Sequence, residues 1–376
     1  MNRAISFIDL DKQKKRLGNK IDNSINSVLS HGQYIMGPEV NELELKLAEY
    51  TGAKYSATCA SGTDALVLSL MAYGIGPGDI VFCPTFTFPA TAEAIVILGA
   101  IPYFVDVDKD TYNISVESLK NAISTVKQKS NYNIKAIIAV DLYGLPANYN
   151  KLRSIAKENN LILIADAAQS FGAKYKNNKV GVLADITCVS FFPAKPLGCY
   201  GDGGAIFTDN INIQNKIKSL RAHGKGKNKY DIDYIGINSR LDTIQASVLL
   251  TKLKEFDWEV EQRNLIASNY TRALEKKIKV PVISKNYKSV WAQYTLRHSE
   301  RDKIQSILKG KGIPTMVYYP IPMHKQKAYN KYYNNDITLS NSEELAKEVF
   351  SLPMYPDLSK NDQEYIVMQL SDIIDT

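Results

Sequence analysis

A chain of 376 residues that is 45% hydrophobic and 23% charged carries enough apolar material for one large folded domain and a smaller companion, which excludes disorder as its default state. Its 46 lysines and arginines exceed its 39 aspartates and glutamates by seven, but apart from Lys12 to Arg16 and the group Lys225, Lys227 and Lys229 they are dispersed, which argues against a nucleic-acid footprint. No run of about 18 apolar residues occurs, and the opening Met1-Asn-Arg-Ala-Ile-Ser-Phe-Ile has no cleavage-like segment, so a soluble, cytoplasmic protein without membrane contact is expected.

In chain order, short β-rich runs fall at Tyr55 to Cys59, Ile80 to Phe82, Ile101 to Val105, Ala136 to Val140, Leu161 to Ala165, Ile186 to Phe191 and Ala205 to Thr208. Helical periods separate them at Asp64 to Ala72, Thr91 to Leu98, Val116 to Ile123 and Tyr149 to Glu158. This alternation predicts a wound, mostly parallel α/β sheet. From Asp242 to about Leu274, apolar residues recur at three- and four-residue steps, which reads as one long helix joining two domains. After Pro281 the pattern becomes a strand at Trp291 to Arg297, a helix near Asp302 to Lys309, the turn Gly312-Ile-Pro314, and helices near Ser342 to Phe350 and Asn361 to Leu370. The expected division is a large α/β domain over 1–250 and a small α+β domain over 251–376.

Cys59, Cys83, Cys188 and Cys199 show no C-x-x-C spacing, and His31, His223 and His298 form no grouping with metal-ligand spacing, so neither a metal site nor a disulfide framework is expected.

Chemistry concentrates around Lys195, in the stretch Ser190-Phe-Phe-Pro-Ala-Lys-Pro-Leu-Gly-Cys-Tyr-Gly-Asp-Gly-Gly204. A lysine on a loop is ordinarily solvated. Here Pro193 and Pro196 stiffen the backbone, while Gly198, Gly201, Gly203 and Gly204 permit close approach to a ligand. Upstream, Asp166 ends an apolar strand and so belongs at the carboxyl edge of the sheet, where ligands gather; taken alone it reads better as a helix cap.

An amine, a strand-end carboxylate and a glycine-rich turn together suggest a pyridoxal phosphate site. Lys195 would form a Schiff base with the cofactor aldehyde, and Asp166 would pair with the protonated pyridine nitrogen. Gln169, three residues on, would reach the ring's phenolic oxygen. Ser61-Gly-Thr-Asp follows a strand and opens a helix, so the amides of Gly62 and Thr63 would receive a phosphate, with the Ser190 hydroxyl beside them. Phe88 would stack on the ring, although an aromatic at such a junction is more often core.

These residues, with Gly37-Pro-Glu-Val, Ser61-Gly-Thr-Asp-Ala-Leu, Pro84-Thr-Phe-Thr-Phe, Asp166-Ala-Ala-Gln-Ser-Phe-Gly-Ala, Gly201-Asp-Gly-Gly, Arg221-Ala-His-Gly and Gly236-Ile-Asn-Ser-Arg-Leu-Asp-Thr-Ile-Gln-Ala, resemble the nucleotide-sugar aminotransferases of the DegT/DnrJ/EryC1/StrS family. The motifs keep the family order from about residue 5 to residue 356. The resemblance implies a fold-type I transferase in which Lys195 is the Schiff-base lysine, Asp166, Gln169 and Phe88 hold the ring, and Gly62, Thr63 and Ser190 hold the phosphate. It further implies a homodimer with shared active sites, in which Asn238 reaches the partner's phosphate and Arg240 faces its sugar. Tyr319 and His324, in Tyr318-Tyr-Pro-Ile-Pro-Met-His, would help close the sugar site, and for His324 the plain reading of a partly exposed histidine in a proline-rich loop stands equally beside it.

Within the family, His31-Gly-Gln-Tyr-Ile, the Lys195 stretch and Tyr319-Pro-Ile-Pro resemble the 3-aminotransferases that act on UDP-2-acetamido-2-deoxy-3-oxo-glucuronate in surface polysaccharide synthesis. L-glutamate is then the implied amino donor, pyridoxamine phosphate the carrier form, and Arg240 a partner for the uronate carboxylate. The alternatives are an aminotransferase acting on another dTDP- or UDP-linked 3- or 4-keto-sugar, a sugar dehydratase, and a non-catalytic cofactor-binding regulator. Lys195 argues against the dehydratases, which typically carry histidine there; the regulator would need a DNA-binding domain, for which residues 1 to about 35 leave too little chain. A dinucleotide-binding dehydrogenase would need a G-x-G-x-x-G turn after its first strand, which is missing.

Overall fold

The computed structural model describes residues 5–129, 133–228, 230–333 and 335–375, which leaves Met1 to Ala4 of the opening segment and Lys229 of the basic group outside the described residues. The seven anticipated β-rich runs all form strands: β1 (Tyr55–Cys59), β2 (Asp79–Pro84), β3 (Ile101–Val105), β4 (Asn133–Val140), β5 (Ile162–Asp166), β6 (Ile186–Ser190) and β7 (Gly204–Thr208). They join in one sheet of order β1-β7-β6-β5-β4-β2-β3, parallel throughout except for β7, which runs antiparallel to both neighbours.

The apolar runs have a packing reason. Along β4, Ile137 and Ala139 join one buried cluster and Ala136 and Ile138 another; along β5, Leu163 and Ala165 alternate with Ile164 in the same way. Both faces of these strands are covered, so nearly every residue must be apolar, as for a parallel sheet with helices on each side. This topology brings the carboxyl ends of β1, β2, β4, β5 and β6 to one edge. Gly204 pairs with Cys59 on one side and Ser190 on the other, so the ends of β1 and β6 lie one strand apart.

The expected single helix from Asp242 to Leu274 is two: one spans Thr243–Leu253 and the next Phe256–Leu274. The break at Lys254 and Glu255 lets Phe256 turn into the core, where its ring stacks on Phe171 at 5.6 Å. The apolar spacing runs on across the break, so periodicity alone did not reveal it. Phe256 and Val260 pack in the same cluster as the sheet, whereas Ile266, Ala267, Tyr270 and Leu274 pack in a separate C-terminal cluster. That cluster contains a two-stranded antiparallel sheet of β8 (Tyr294–Arg297) and β9 (Val349–Leu352). The helix expected over Ser342 to Phe350 therefore spans Ser340–Glu348, and Val349 and Phe350, a β-branched and an aromatic residue, begin a strand. Among the described residues no helix is long and apolar enough to cross a membrane.

Candidate active site

Beyond β6 the chain makes a wide turn closed by its own backbone. Phe191 N–H donates to Gly203 O at 2.7 Å, Cys199 N–H to Phe191 O at 2.8 Å, and Lys195 N–H to Phe192 O at 2.9 Å. Two glycines are fixed by close approach: a Cβ on Gly198 would lie 2.5 Å from Pro193 O, and one on Gly204 would lie 2.3 Å from Ser61 O. From behind, the buried Lys252 donates from Nζ to Gly198 O at 2.8 Å. The turn is thus rigid, and it carries Lys195 to the wall of a cavity of about 420 Å³ at the carboxyl edge of the sheet. Burial lowers the Lys195 pKa, with the charge of Asp166 pulling the other way, so the amine is easier to deprotonate than a surface lysine.

Asp166, 6% exposed, lines the same cavity. Its Oδ2 accepts from the Thr91 hydroxyl at 2.7 Å and its Oδ1 from Ala168 N–H at 3.3 Å; Thr91 in turn meets Thr87 at 3.0 Å. Burial raises its pKa against the lowering effects of Thr91, Ala168 and Lys195, leaving a carboxyl that a buried cationic N–H partner would favour in its charged form. Gln169 is oriented from both sides: Oε1 accepts from Tyr143 N–H at 2.7 Å, and Nε2 donates to the Tyr319 hydroxyl at 3.1 Å.

At another part of the wall the helix Gly62–Ala72 begins. Ser61 caps it by accepting from Asp64 N–H at 3.0 Å, and the first amides of a helix have no acceptor within it. Gly62 abuts Ser190 so closely that a Cβ would lie 2.6 Å from the serine Cβ, which sets the Ser190 hydroxyl beside those amides. Phe88 is 56% exposed, because extended backbone before Pro89 turns its ring away from the core; it faces the cavity with its centroid 6.1 Å from that of Tyr319. The reading of Phe88 as core is therefore wrong.

Eight of the eleven sequence-selected residues line this one cavity: Gly62, Thr63, Phe88, Asp166, Gln169, Ser190, Lys195 and Tyr319. Three do not. Asn238 is exposed and Arg240 half-buried on the segment after Ala222, with Asn238 bridged to Ala222. His324 corrects both expectations for it, since it is 3% exposed and its ring nitrogens are both engaged: Nδ1 with the Thr85 hydroxyl at 2.8 Å and Nε2 with Glu343 at 3.1 Å. A buried imidazole with both nitrogens occupied holds the chain after Tyr319 against the end of β2; it does not form the cavity wall. The sequence reading missed Thr91, whose four-residue spacing from Thr87 was a usable signal, and Tyr143, which gave none: its backbone is left-handed, with φ of 60°, in a bulky residue. Among the described residues no cluster of three or more His, Cys, Asp or Glu is placed to hold a metal ion.

Residues 15–371 match the DegT/DnrJ/EryC1/StrS aminotransferase family. A UDP-2-acetamido-2-deoxy-3-oxo-D-glucuronate aminotransferase of Pseudomonas aeruginosa is 47% identical over 94% of this chain and 96% of its own. Among solved structures, a DegT DnrJ EryC1 StrS aminotransferase from Brucella abortus superposes with a TM-score of 0.98 at 46% identity, covering 99% of this chain and 100% of that one. The NtdA protein of Bacillus subtilis, solved with bound cofactor PMP, superposes with a TM-score of 0.89 at 29% identity, covering 99% of this chain and 86% of that one.

Proposed function

This chain belongs to the DegT/DnrJ/EryC1/StrS aminotransferase family, and from that premise we propose that it uses pyridoxal phosphate to move an amino group from L-glutamate to a nucleotide-linked keto-sugar. UDP-2-acetamido-2-deoxy-3-oxo-glucuronate is the first candidate sugar, in keeping with the 47% identity to the Pseudomonas enzyme. The observation that carries the reading is the convergence, on one cavity, of a lysine whose pKa burial lowers, a buried carboxyl whose pKa burial raises, and an open helix N-terminus. When bound, the cofactor supplies an aldehyde that condenses with amines and a protonated pyridine ring that withdraws electrons from the bonds next to that nitrogen.

Each wall residue fits one part of that group. Asp166 would accept from the pyridine N–H, and Phe88 would lie against the ring. Gln169 would donate from Nε2 to the ring oxygen, since its Oε1 is already occupied by Tyr143. The amides of Gly62 and Thr63 and the Ser190 hydroxyl would cradle the phosphate, the last beside a positive helix end. Lys195 then acts as the acid and base: its Nζ takes the proton from the α-carbon of L-glutamate, and in the return half-reaction it delivers one to the sugar carbon that receives the nitrogen. Asp166 also opposes full neutralisation of Lys195, keeping its pKa from falling further.

Asn238 and Arg240 lie off this chain's cavity wall, which supports a homodimer in which each copy lends them to the other's site. Arg240 would hold the uronate carboxylate through two parallel N–H donors, a geometry lysine lacks. We place the protein in the cytoplasm, in the supply of amino sugars for surface polysaccharide, with the division between its two domains near residue 250.

A single preparation tests the reading. The protein incubated with pyridoxal phosphate is expected to be yellow, to bleach with L-glutamate, and to regain its colour with the keto-sugar it accepts. A colourless protein, or a Lys195→Ala variant that keeps the visible band, would overturn it. Comparing UDP- and dTDP-linked 3- and 4-keto-sugars for return of colour identifies the substrate.

A further inference from the structure

Between Tyr143, Gln169 and Tyr319 runs a hydrogen-bond chain with only one allowed direction. Tyr143 N–H can only donate, so the atom of Gln169 that meets it at 2.7 Å is Oε1, and the amide NH2 must point the other way. That NH2 can only donate as well, so the Tyr319 oxygen 3.1 Å away is the acceptor. The Tyr319 proton is left over, and among the described residues it has no acceptor. The ring lies on the cavity wall, between Gln169 and the exposed face of Phe88.

Tyr143 fixes the other end too. Its hydroxyl donates to the backbone carbonyl of Tyr318, so one residue orients Gln169 through its amide and holds the chain bearing Tyr319 through its side chain. Tyr143 is buried and left-handed, a conformation costly for a bulky residue that persists only where surroundings enforce it. Burial raises the Tyr319 pKa against the lowering effect of the Gln169 hydrogen bond, with the neighbouring Asp166 adding to the rise, so the phenol keeps its proton across the working pH range.

We propose that Tyr319 is a dedicated hydrogen-bond donor to the ketone oxygen of the sugar, and that Tyr143 is the positioning residue that turns its proton into the cavity. This rests on the keto-sugar reading above. A ketone oxygen has acceptor capacity and no proton of its own, so it matches a wall group that is committed as a donor. Negative charge grows on that oxygen as nitrogen adds to the carbonyl carbon, so the bond strengthens where it helps most.

The test uses the full-length pyridoxal form, which has no amine to give and so leaves a bound ketone intact. With UDP-2-acetamido-2-deoxy-3-oxo-glucuronate labelled with ¹³C at the ketone carbon, difference infrared should show the carbonyl band shifted down from its position in solution. Tyr319→Phe should lose the shift and lower kcat/KM for the keto-sugar by about 10- to 100-fold, with the deficit in the sugar half-reaction; the bleaching by L-glutamate serves as the internal reference. Gln169→Glu should lose the shift as well, because a carboxylate accepts the Tyr319 proton and turns it from the cavity. Tyr143→Phe keeps the amide but releases Tyr318, and should raise the keto-sugar KM several-fold more than it lowers kcat.

A wild-type enzyme that turns over the sugar while Tyr319→Phe keeps the shifted band overturns the proposal. A visible band moved by Tyr319→Phe without sugar also overturns it, because the phenol would then serve the cofactor. If no keto-sugar binds the wild-type protein, the functional reading fails and takes this inference with it.

Discussion

The wall built from the ends of β5 and β6 and the segment from Ala222 to Asp242 differ in how much each completes by itself. On the wall, Asp166 has Thr91 at 2.7 Å, Gln169 has Tyr143 at 2.7 Å, and the Lys195 turn is closed by backbone bonds and by Lys252. The segment is equally well held at its base: Arg221 is buried against Glu44 and Thr58, Ser239 Oγ accepts from Ala60 N–H at 3.1 Å, and Ala222 bridges Asn238. Its outer part is a contrast, with Tyr230 83%, Ile232 60% and Ile235 92% exposed beside an exposed Asn238. Apolar residues offered to solvent on a firmly anchored loop mark a contact surface more than a lax terminus. The wall around Lys195 is thus held together by contacts within one chain, whereas the outer part of the segment is open to the second copy that the proposed homodimer would supply.

The largest expected effect falls on the complete wall. Lys195→Ala should reduce transamination by at least about 10³-fold, at the upper end for loss of a general acid–base group, and should leave the melting temperature of the cofactor-free protein within a few degrees of wild type. Steady-state rates with melting curves check this; a variant retaining a tenth of the activity would show that another group moves the proton. The next measurement breaks the comparison itself. If Arg240 acts in the neighbouring site, Arg240→Ala and Lys195→Ala, each deficient alone, should regain about a quarter of wild-type activity when co-refolded in equal amounts, since half the dimers are mixed and each mixed dimer has one intact site. Activity that stays at the sum of the parents would place Arg240 in its own chain's site. Third comes the base of the segment: Arg221→Ala leaves Glu44 buried without its closest cation and should cost about 3–5 kcal/mol in denaturant unfolding. Glu44 also meets Lys218 at 3.0 Å, and a loss below about 1 kcal/mol would mean that this second cation suffices.

Much of the sheet was legible because burial on both faces forces unbroken apolar runs, and the edge carrying the candidate site follows from strand direction. The wall residues were legible where chemistry and spacing coincide, as in Ser61-Gly-Thr-Asp and the Lys195 turn. What escaped depended on direction in space. Tyr143 looks like any tyrosine after a strand, and neither its left-handed backbone nor the meeting of its amide with Gln169 shows in its spacing. His324 sits in a proline-rich run that reads as an exposed loop, yet Thr85 and Glu343, 239 and 19 residues away, bury it. The helix break before Phe256 escaped because the apolar spacing on its two sides stays in phase.

The smallest effect separates two aspartates that the sequence presents alike, Asp141 after β4 and Asp166 at the end of β5. Asp166 faces the cavity, while Asp141 is fully enclosed and accepts from Ala147 N–H at 2.8 Å and from the Tyr149 and Ser170 hydroxyls at 2.7 Å each. Burial pushes its pKa from the ordinary 3.8 up to about 7, against those three hydrogen bonds. Between these values the folded protein holds a proton that the unfolded chain has released, so this group's contribution to stability is full below about pH 4 and is lost as pH rises through about 7. Asp141→Asn removes the titration and can keep every contact, because Nδ2 donates to the Ser170 oxygen while Oδ1 still accepts from Ala147 and Tyr149. The melting temperature of the variant should therefore gain on wild type by a few degrees between about pH 4.5 and pH 8. Taking the difference between the two proteins cancels the parallel contribution of Asp166, whose pKa is raised in the same direction. A difference that stays flat across this range would mean that the three donors keep Asp141 charged throughout, and the two aspartates would then differ in position alone.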